Sequence, residues 1–429
     1  MSGDYVDGVT EPVLSGPELG AAVGVEGVMI RRIARTGVVF LSATAVLLTC
    51  AGAAYAIPWD VGGKVPPSET PAPEFPDPLC QQSYADDLPE PGSRIHFGIG
   101  PRLAGEIGTG QATPLVPENW RKRDQALRKL AGSRDFSVRL NRLFMSDGWS
   151  GIRRFQKMAR HYGRLGFGVE LQVRYHPKPK QDGDIKAWLQ YVRNVVRAFG
   201  PIRAVKSLQI TNEVNLAISP NTSDGAWKHA RRALVSGVKT AQRYSNRLGY
   251  GRLKIGFNFA WRFGAQADAD FWDDLTRIGG KSLRRATDWI GLDLYPGTYL
   301  PPRAAISDYG DAFLEALAQM RECYMPKAGF GSRFPLKIEE TGWPTGPGRT
   351  EAEQKEILRQ FVTTAHLYRG TYGITDFRWF GLRDNNSAGE DYQSYFGLLR
   401  DDYSPKPAFG EYRRLLARYG AGKKANDNR

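Results

Sequence analysis

Eight short apolar runs separated by amphipathic stretches of helical period predict an α/β chain folded as a (β/α)8 TIM barrel, in one domain spanning residues 94–420. The candidate strands are Ile95–Gly100, Phe136–Phe144, Phe167–Tyr175, Lys206–Asn212, Leu253–Phe259, Asp288–Tyr295, Pro335–Glu340 and Thr375–Gly381. Helical patterning fills the intervals, as in Gly151–Arg164, Asp184–Phe199, Gly225–Arg247 and Glu351–Tyr368. Thr350 and Glu353 form a capping box ahead of the last of these, and Pro407–Tyr419 supplies a closing helix. The competing architecture is a doubly wound sheet, which calls for a Gly-rich phosphate loop after the first strand. Gly98-Ile99-Gly100-Pro101-Arg102-Leu103 lacks the third glycine, and no Walker sequence occurs.

The flanks read differently. Arg31, Arg32 and Arg35 precede an apolar stretch from Val38 to Ala56 that ends Ala54-Tyr55-Ala56, a small-residue cleavage pattern. Residues 1–56 are therefore expected to be a signal peptide, with Met29 as the start that gives it ordinary shape, or else a membrane tether through residues 38–56. Secreted protein, or a barrel anchored outside the membrane, follows accordingly. Residues 57–93 hold nine prolines between Pro58 and Pro91, the composition of an extended tether. Residues 421–429 form a disordered tail. Cleavage after Ala56 removes Cys50 and leaves Cys80 and Cys323, which are free to pair as a disulfide in an oxidising compartment or to remain two thiols.

The net charge of +14 comes from 59 Lys and Arg against 45 Asp and Glu, but no run of like charge marks a polymer groove. No nucleic-acid partner is expected. A G-x-S-x-G elbow and an H-E-x-x-H pair are both missing, and the five histidines are scattered. Carboxylates at strand ends remain. Strand four closes on Thr211-Asn212-Glu213 and strand seven on Ile338-Glu339-Glu340-Thr341-Gly342-Trp343-Pro344. Barrel chemistry is built at the C-terminal ends of strands. Side chains alternate along a strand, so Leu336, Ile338 and Glu340 share a face, taken as inward, while Lys337 and Glu339 face the helices. Glu213 shares phase with Gln209 and Thr211, so presenting both Asn212 and Glu213 calls for a bulge or the strand's end.

At these residues the sequence resembles glycoside hydrolase clan A, the retaining (β/α)8-barrel glycosidases. That clan carries Asn-Glu at the end of strand four, with the glutamate as acid/base, and a nucleophilic glutamate at the end of strand seven. Asn212-Glu213 and Glu340 match in type, order and strand number. Glu340-Thr341-Gly342-Trp343-Pro344 is most similar to the β-1,3-glucanase family. The resemblance spans roughly residues 95–418. It implies a retaining hydrolase of a polysaccharide or oligosaccharide with β linkages, which the N-terminal segment would export and which would act as a monomer without metal or organic cofactor. Glu213 and Glu340 would be catalytic. Asn212, Arg139, His176, Tyr295 and Trp379 would bind substrate or support the nucleophile, with Trp379 as a flat face for a sugar ring and Arg139, or its competitor Arg142, holding Glu340 ionised. The rival expectations are a carbohydrate-binding barrel without catalysis and an envelope protein that binds anionic polymers.

Overall fold

The computed structural model describes residues 80, 84, 87–101, 116–217, 221–261, 264–299, 303–389 and 391–423. The expected signal or anchor segment at 1–56, most of the Pro-rich segment and the end of the tail lie outside them. The eight strands are β1 (His96–Ile99), β2 (Phe136–Phe144), β3 (Gly168–Arg174), β4 (Val205–Ile210), β5 (Lys254–Trp261), β6 (Trp289–Leu294), β7 (Leu336–Thr341) and β8 (Ile374–Trp379). All pair in parallel and in chain order, and β1 pairs with β8, so the barrel is closed. Around it run α1 (Trp120–Ala131), α2 (Gly148–Arg164), α3 (Ile185–Phe199), α4 (Ala230–Arg247), α5 (Ala265–Ala286), α6 (Tyr309–Ala318), the short α7 (Met325–Lys327), α8 (Glu351–Leu367) and α9 (Pro407–Tyr419). Thr350 caps α8 with the reciprocal Glu353 contact that its sequence spells.

The main apolar layer lies between strands and helices. Phe97 of β1 packs edge-on against Tyr412 of α9 at 5.8 Å, Phe259 of β5 against Phe271 of α5 at 5.6 Å, and Phe377 of β8 near Phe313 of α6 at 6.5 Å. Ile210 of β4 sits so close to Gly237 of α4 that a Cβ there would lie 2.8 Å from its side chain. Leu336 and Ile338 belong to this same fully buried layer.

The other phase of the strands looks inward, and on most of them it is polar. Lys337 of β7 reaches Glu170 of β3 at 2.6 Å and Ser207 of β4 at 3.3 Å. Arg139 of β2 reaches Gln209 of β4 at 2.6 Å and contacts Glu339 of β7 at 3.2 Å. These strands are not neighbours, so the contacts cross the barrel. The expected facing of β7 is thus reversed: Leu336 and Ile338 point to the helices, and Lys337 and Glu339 point inward. The reason is that the helices supply the apolar partner, leaving the interior to charged groups that pair across the barrel. Irregular pairing between Ile338 and Thr341 then brings Glu340 inward beside Glu339. Gly98 has a related cause, since a Cβ there would come within 2.7 Å of the inward Arg378 side chain.

The last of the Pro-rich segment runs along the turn after α8. Gly370 N–H donates to Glu90 O at 3.0 Å, and Thr371 Oγ1 donates to Leu88 O at 2.7 Å. Cys80 is disulfide-bonded to Cys323, which follows α6, with Cα atoms 5.8 Å apart across a separation of 243 residues.

Lys337→Met should lower unfolding stability by about 3–5 kcal/mol in urea titrations, because it strands Glu170 as a buried charge. Adding Glu170→Gln to that variant should recover part of the loss. Equal stability of wild type and K337M would show that the crossing pair does not operate.

Candidate active site

The C-terminal ends of β4, β6 and β7 bring three carboxyl groups together. One oxygen from each of Glu213, Asp293 and Glu340 lies within 4.8 Å of the others, and all three residues are buried. The backbone at the end of β4 makes this possible. Thr211 and Glu213 adopt left-handed conformations, φ 66° and 45°, which disrupt strand alternation and let both Asn212 and Glu213 reach the interior. Asp224 anchors the turn by accepting the Asn212 N–H at 2.9 Å, the Tyr175 N–H at 2.9 Å and Arg174 Nε at 2.7 Å. Burial still pushes the Asp224 carboxyl up to about 6 against the pull of Arg174.

Glu340 and Glu213 sit in contrasting surroundings. Arg139 Nη1 donates to Glu340 Oε1, Tyr295 Oη donates to Oε2 at 2.9 Å, and Gln172 Nε2 approaches Oε1 at 3.4 Å. Such convergence of donors is the setting of a carboxylate. Burial would lower the Arg139 guanidinium, but Glu340, Asp293, Glu339 and Glu170 together raise it, so it stays charged. Burial and the neighbouring Glu340 keep the Tyr295 phenol well above its ordinary range, so it remains a donor. Glu213 accepts from Asn212 Nδ2 at 3.2 Å, and its backbone N–H donates to Asn258 Oδ1 at 2.9 Å. Burial first, then the charge of Glu340, pushes its carboxyl up to about 8. Burial favours a proton on Glu213, whereas Glu340 is ringed by hydrogen-bond donors.

Beneath them the interior continues as an ionic column. Glu170, Glu213, Asp293, Glu339, Glu340 and Asp376 share it with three cations, Arg139, Lys337 and Arg378, all buried. Burial and its neighbours Glu340 and Glu213 raise Asp293 well above the usual carboxylate range, and burial and Glu170 do the same to Glu339. Against the effect of burial, Lys337 takes the lead in lowering both Glu170 and Asp376. Burial and acidic neighbours thus favour the neutral form of Glu213, Asp293 and Glu339, while Lys337 favours the charged form of Glu170 and Asp376. Holding a proton on a glutamate costs about 1.4 kcal/mol for each unit by which the pH exceeds its ordinary pKa, about 3.5 kcal/mol at neutral pH, a cost on the scale of leaving an uncompensated buried charge. The three upper carboxylates are also close enough to hold a cation, but Arg139 already supplies positive charge at Glu340.

Of the residues singled out in the sequence, Glu213, Glu340, Asn212, Arg139 and Tyr295 meet in one network. Asn212 is fully engaged: its Oδ1 accepts from Gln172, Gln209 and Asn258 at 2.7–3.0 Å, and its Nδ2 donates to Thr222 O and Glu213. His176 stands at the β2–β3 rim, stacked on Phe144 at 4.3 Å with Nδ1 3.2 Å from Ser146 Oγ. Arg142 donates to Asn221 O at 3.1 Å on the same rim. Trp379 needs correction as a stacking face. It is fully buried, in the outward phase of Phe377, and its Nε1 donates to Phe396 O at 3.3 Å. The half-buried Phe380 takes that place, 6.0 Å from the Tyr295 ring, with Tyr299 and Phe396 completing the aromatic wall. Sequence reasoning also missed Asp293 and Asn258. Asp293 carries a related signal, a carboxyl group near the C-terminal end of the apolar run Trp289–Leu294.

No protein-family model matches the sequence, and no curated protein sequence matches it. Solved structures do. A β-glucosidase from Thermotoga maritima in complex with castanospermine aligns at TM-score 0.52, with 14% identity over 78% of this chain and 100% of that one. The same enzyme with a substituted glucoimidazole gives 0.52, with 13% identity over 77% and 99%. The apo structure of β-glucosidase 1317 gives 0.50, with 17% identity over 72% and 88%. At these identities the likeness establishes the (β/α)8 barrel fold.

The raised Glu213 carboxyl has a sign that stability can report. The folded chain binds its proton more tightly than the unfolded chain, so this contribution is complete below about pH 4.5 and is lost as pH rises through about 8. Glu213→Gln should therefore gain stability relative to wild type between those limits, by up to a few kcal/mol at the alkaline end, in urea unfolding at pH 5 and pH 8. A difference independent of pH would contradict the assignment.

Proposed function

We propose that this chain is an exported retaining glycoside hydrolase that cleaves β-linked glycans by double displacement. The observation that carries the reading is the Glu213–Glu340 pair, with oxygens within 4.8 Å and opposite surroundings. Retention takes carboxyl groups about 5–5.5 Å apart, whereas inversion needs about 6.5–9.5 Å to admit a water. Glu213, protonated at neutral pH, donates its proton to the leaving glycosidic oxygen while Glu340 attacks the anomeric carbon. The resulting glycosyl ester at Glu340 is then opened by a water that Glu213, now ionised, deprotonates. Arg139 and Tyr295 hold Glu340 in its attacking position. Phe380 and the tyrosines beside it offer an apolar wall for the sugar ring. Asn212 reaches a sugar hydroxyl only by exchanging one of its protein bonds, the longest being that to Glu213.

The β-glucosidases that share the barrel fit this reading, and the Gly342-Trp343-Pro344 sequence after Glu340 makes β-1,3-glucan the first polymer to test. The Cys80–Cys323 disulfide supports export to an oxidising compartment.

The test is a panel of β-linked polysaccharides and aryl β-glycosides, with the anomer of the first-formed product read by proton NMR. The β anomer should appear first; the α anomer would overturn the nucleophile assignment, and no turnover on any member would overturn the enzyme reading. Glu340→Gln should lose at least about 10⁴-fold in kcat, since an amide cannot attack. Glu213→Ala should slow poor leaving groups by about 10²–10⁴-fold and spare the first step on good ones. Azide should then restore its turnover and yield a β-glycosyl azide.

A further inference from the structure

Asn258 on β5 and Asp293 on β6 are fully enclosed beside the carboxyl pair, with 0% and 1% exposure. The Asn258 amide is committed at each atom. Its Oδ1 accepts the Glu213 backbone N–H at 2.9 Å, and its Nδ2 donates both to Asn212 Oδ1 at 2.8 Å and to Asp293 Oδ2. We propose that Asp293 is a positioning residue for the Asn212–Glu213 pair, acting through the Asn258 amide. This rests on the reading of Glu213 as the acid/base.

The geometry gives the reason. Were the Asn258 amide turned over, its NH2 would face the Glu213 N–H and its oxygen would face two acceptors, Asn212 Oδ1 and Asp293 Oδ2. The accepting Asp293 oxygen thus adds to Asn212 Oδ1 in holding the orientation that receives the Glu213 N–H. That bond restrains a residue whose φ of 45° is unfavourable for any side chain other than glycine. Asp293 Oδ1 makes no protein hydrogen bond, so a proton placed there would leave Oδ2 free to accept from Asn258. Glu340, Glu213, Arg139 and Glu339 are the ionisable groups that act on Asp293, and the three acids among them favour its neutral form.

The experiment compares wild type with Asp293→Asn, Asp293→Ala, Asn258→Ala and the double alanine variant, using carboxyl carbon NMR to follow Glu213 and thermal melts to confirm folding. D293N keeps an accepting oxygen and should hold the Glu213 midpoint within about half a unit of wild type. D293A should lower it by about one unit or more as the side chain relaxes toward water. On aryl glycosides, D293A should lose about 30-fold or more in kcat/KM with poor leaving groups and under about threefold with good ones, since only the former need the acid. Because one relay is broken, the double variant should lose no more than the larger single loss. An unchanged Glu213 midpoint in D293A, equal losses in D293N and D293A, or additive losses would each overturn the proposal. A wild type without turnover would instead overturn the proposed function, and the Glu213 midpoints would still decide the role of Asp293.

Discussion

A closed barrel of parallel strands has no room inside for unpaired charge, and this one sets the six carboxyl groups of its central column beside the three cations Arg139, Lys337 and Arg378. Much else follows from that imbalance. Arg139 is the pivot, because it touches Glu340 above, Glu339 and Glu170 below and Gln209 to the side. It can satisfy one carboxylate at the active end only if its other acidic neighbours are neutralised, by Lys337 at Glu170 or by a proton at Glu339. The contrasting surroundings of Glu213 and Glu340 thus belong to the whole column as well as to two side chains.

The strand period explains both what the sequence disclosed and what it concealed. Apolar runs of barrel length, each followed by a helical stretch, announce eight units because burial against the helices demands Leu, Ile, Val and Phe in one phase. A two-residue period says which residues share a face but not which face looks inward. Taking apolar as inward is correct for the layered interior that many barrels possess, and it fails here because Lys337, Glu339, Arg139 and Glu170 fill that space. The same inversion makes Trp379 a wall residue in sequence and an outward core residue in the structure, with Phe380 one step on in its place.

Glu213 and Glu340 were readable because they close strands, where alternation no longer limits them. The left-handed turn at Thr211 and Glu213 and the irregular pairing of β7 were not, since neither position carries the glycine that usually signals such backbone. Asp293 shows the converse. It lies near the end of its strand, as the glutamates do, yet its importance depends on Asn258, a partner 35 residues away that only the closed barrel brings beside it.

Where protons reside in the column decides the chemistry of the two glutamates, and neutron diffraction from deuterium-exchanged crystals at neutral pH locates them. Deuterons should appear on Glu213, Asp293 and Glu339, and none on Glu340, Glu170 or Asp376. A deuteron on Glu340 with Glu213 bare would reverse the two roles and contradict the account.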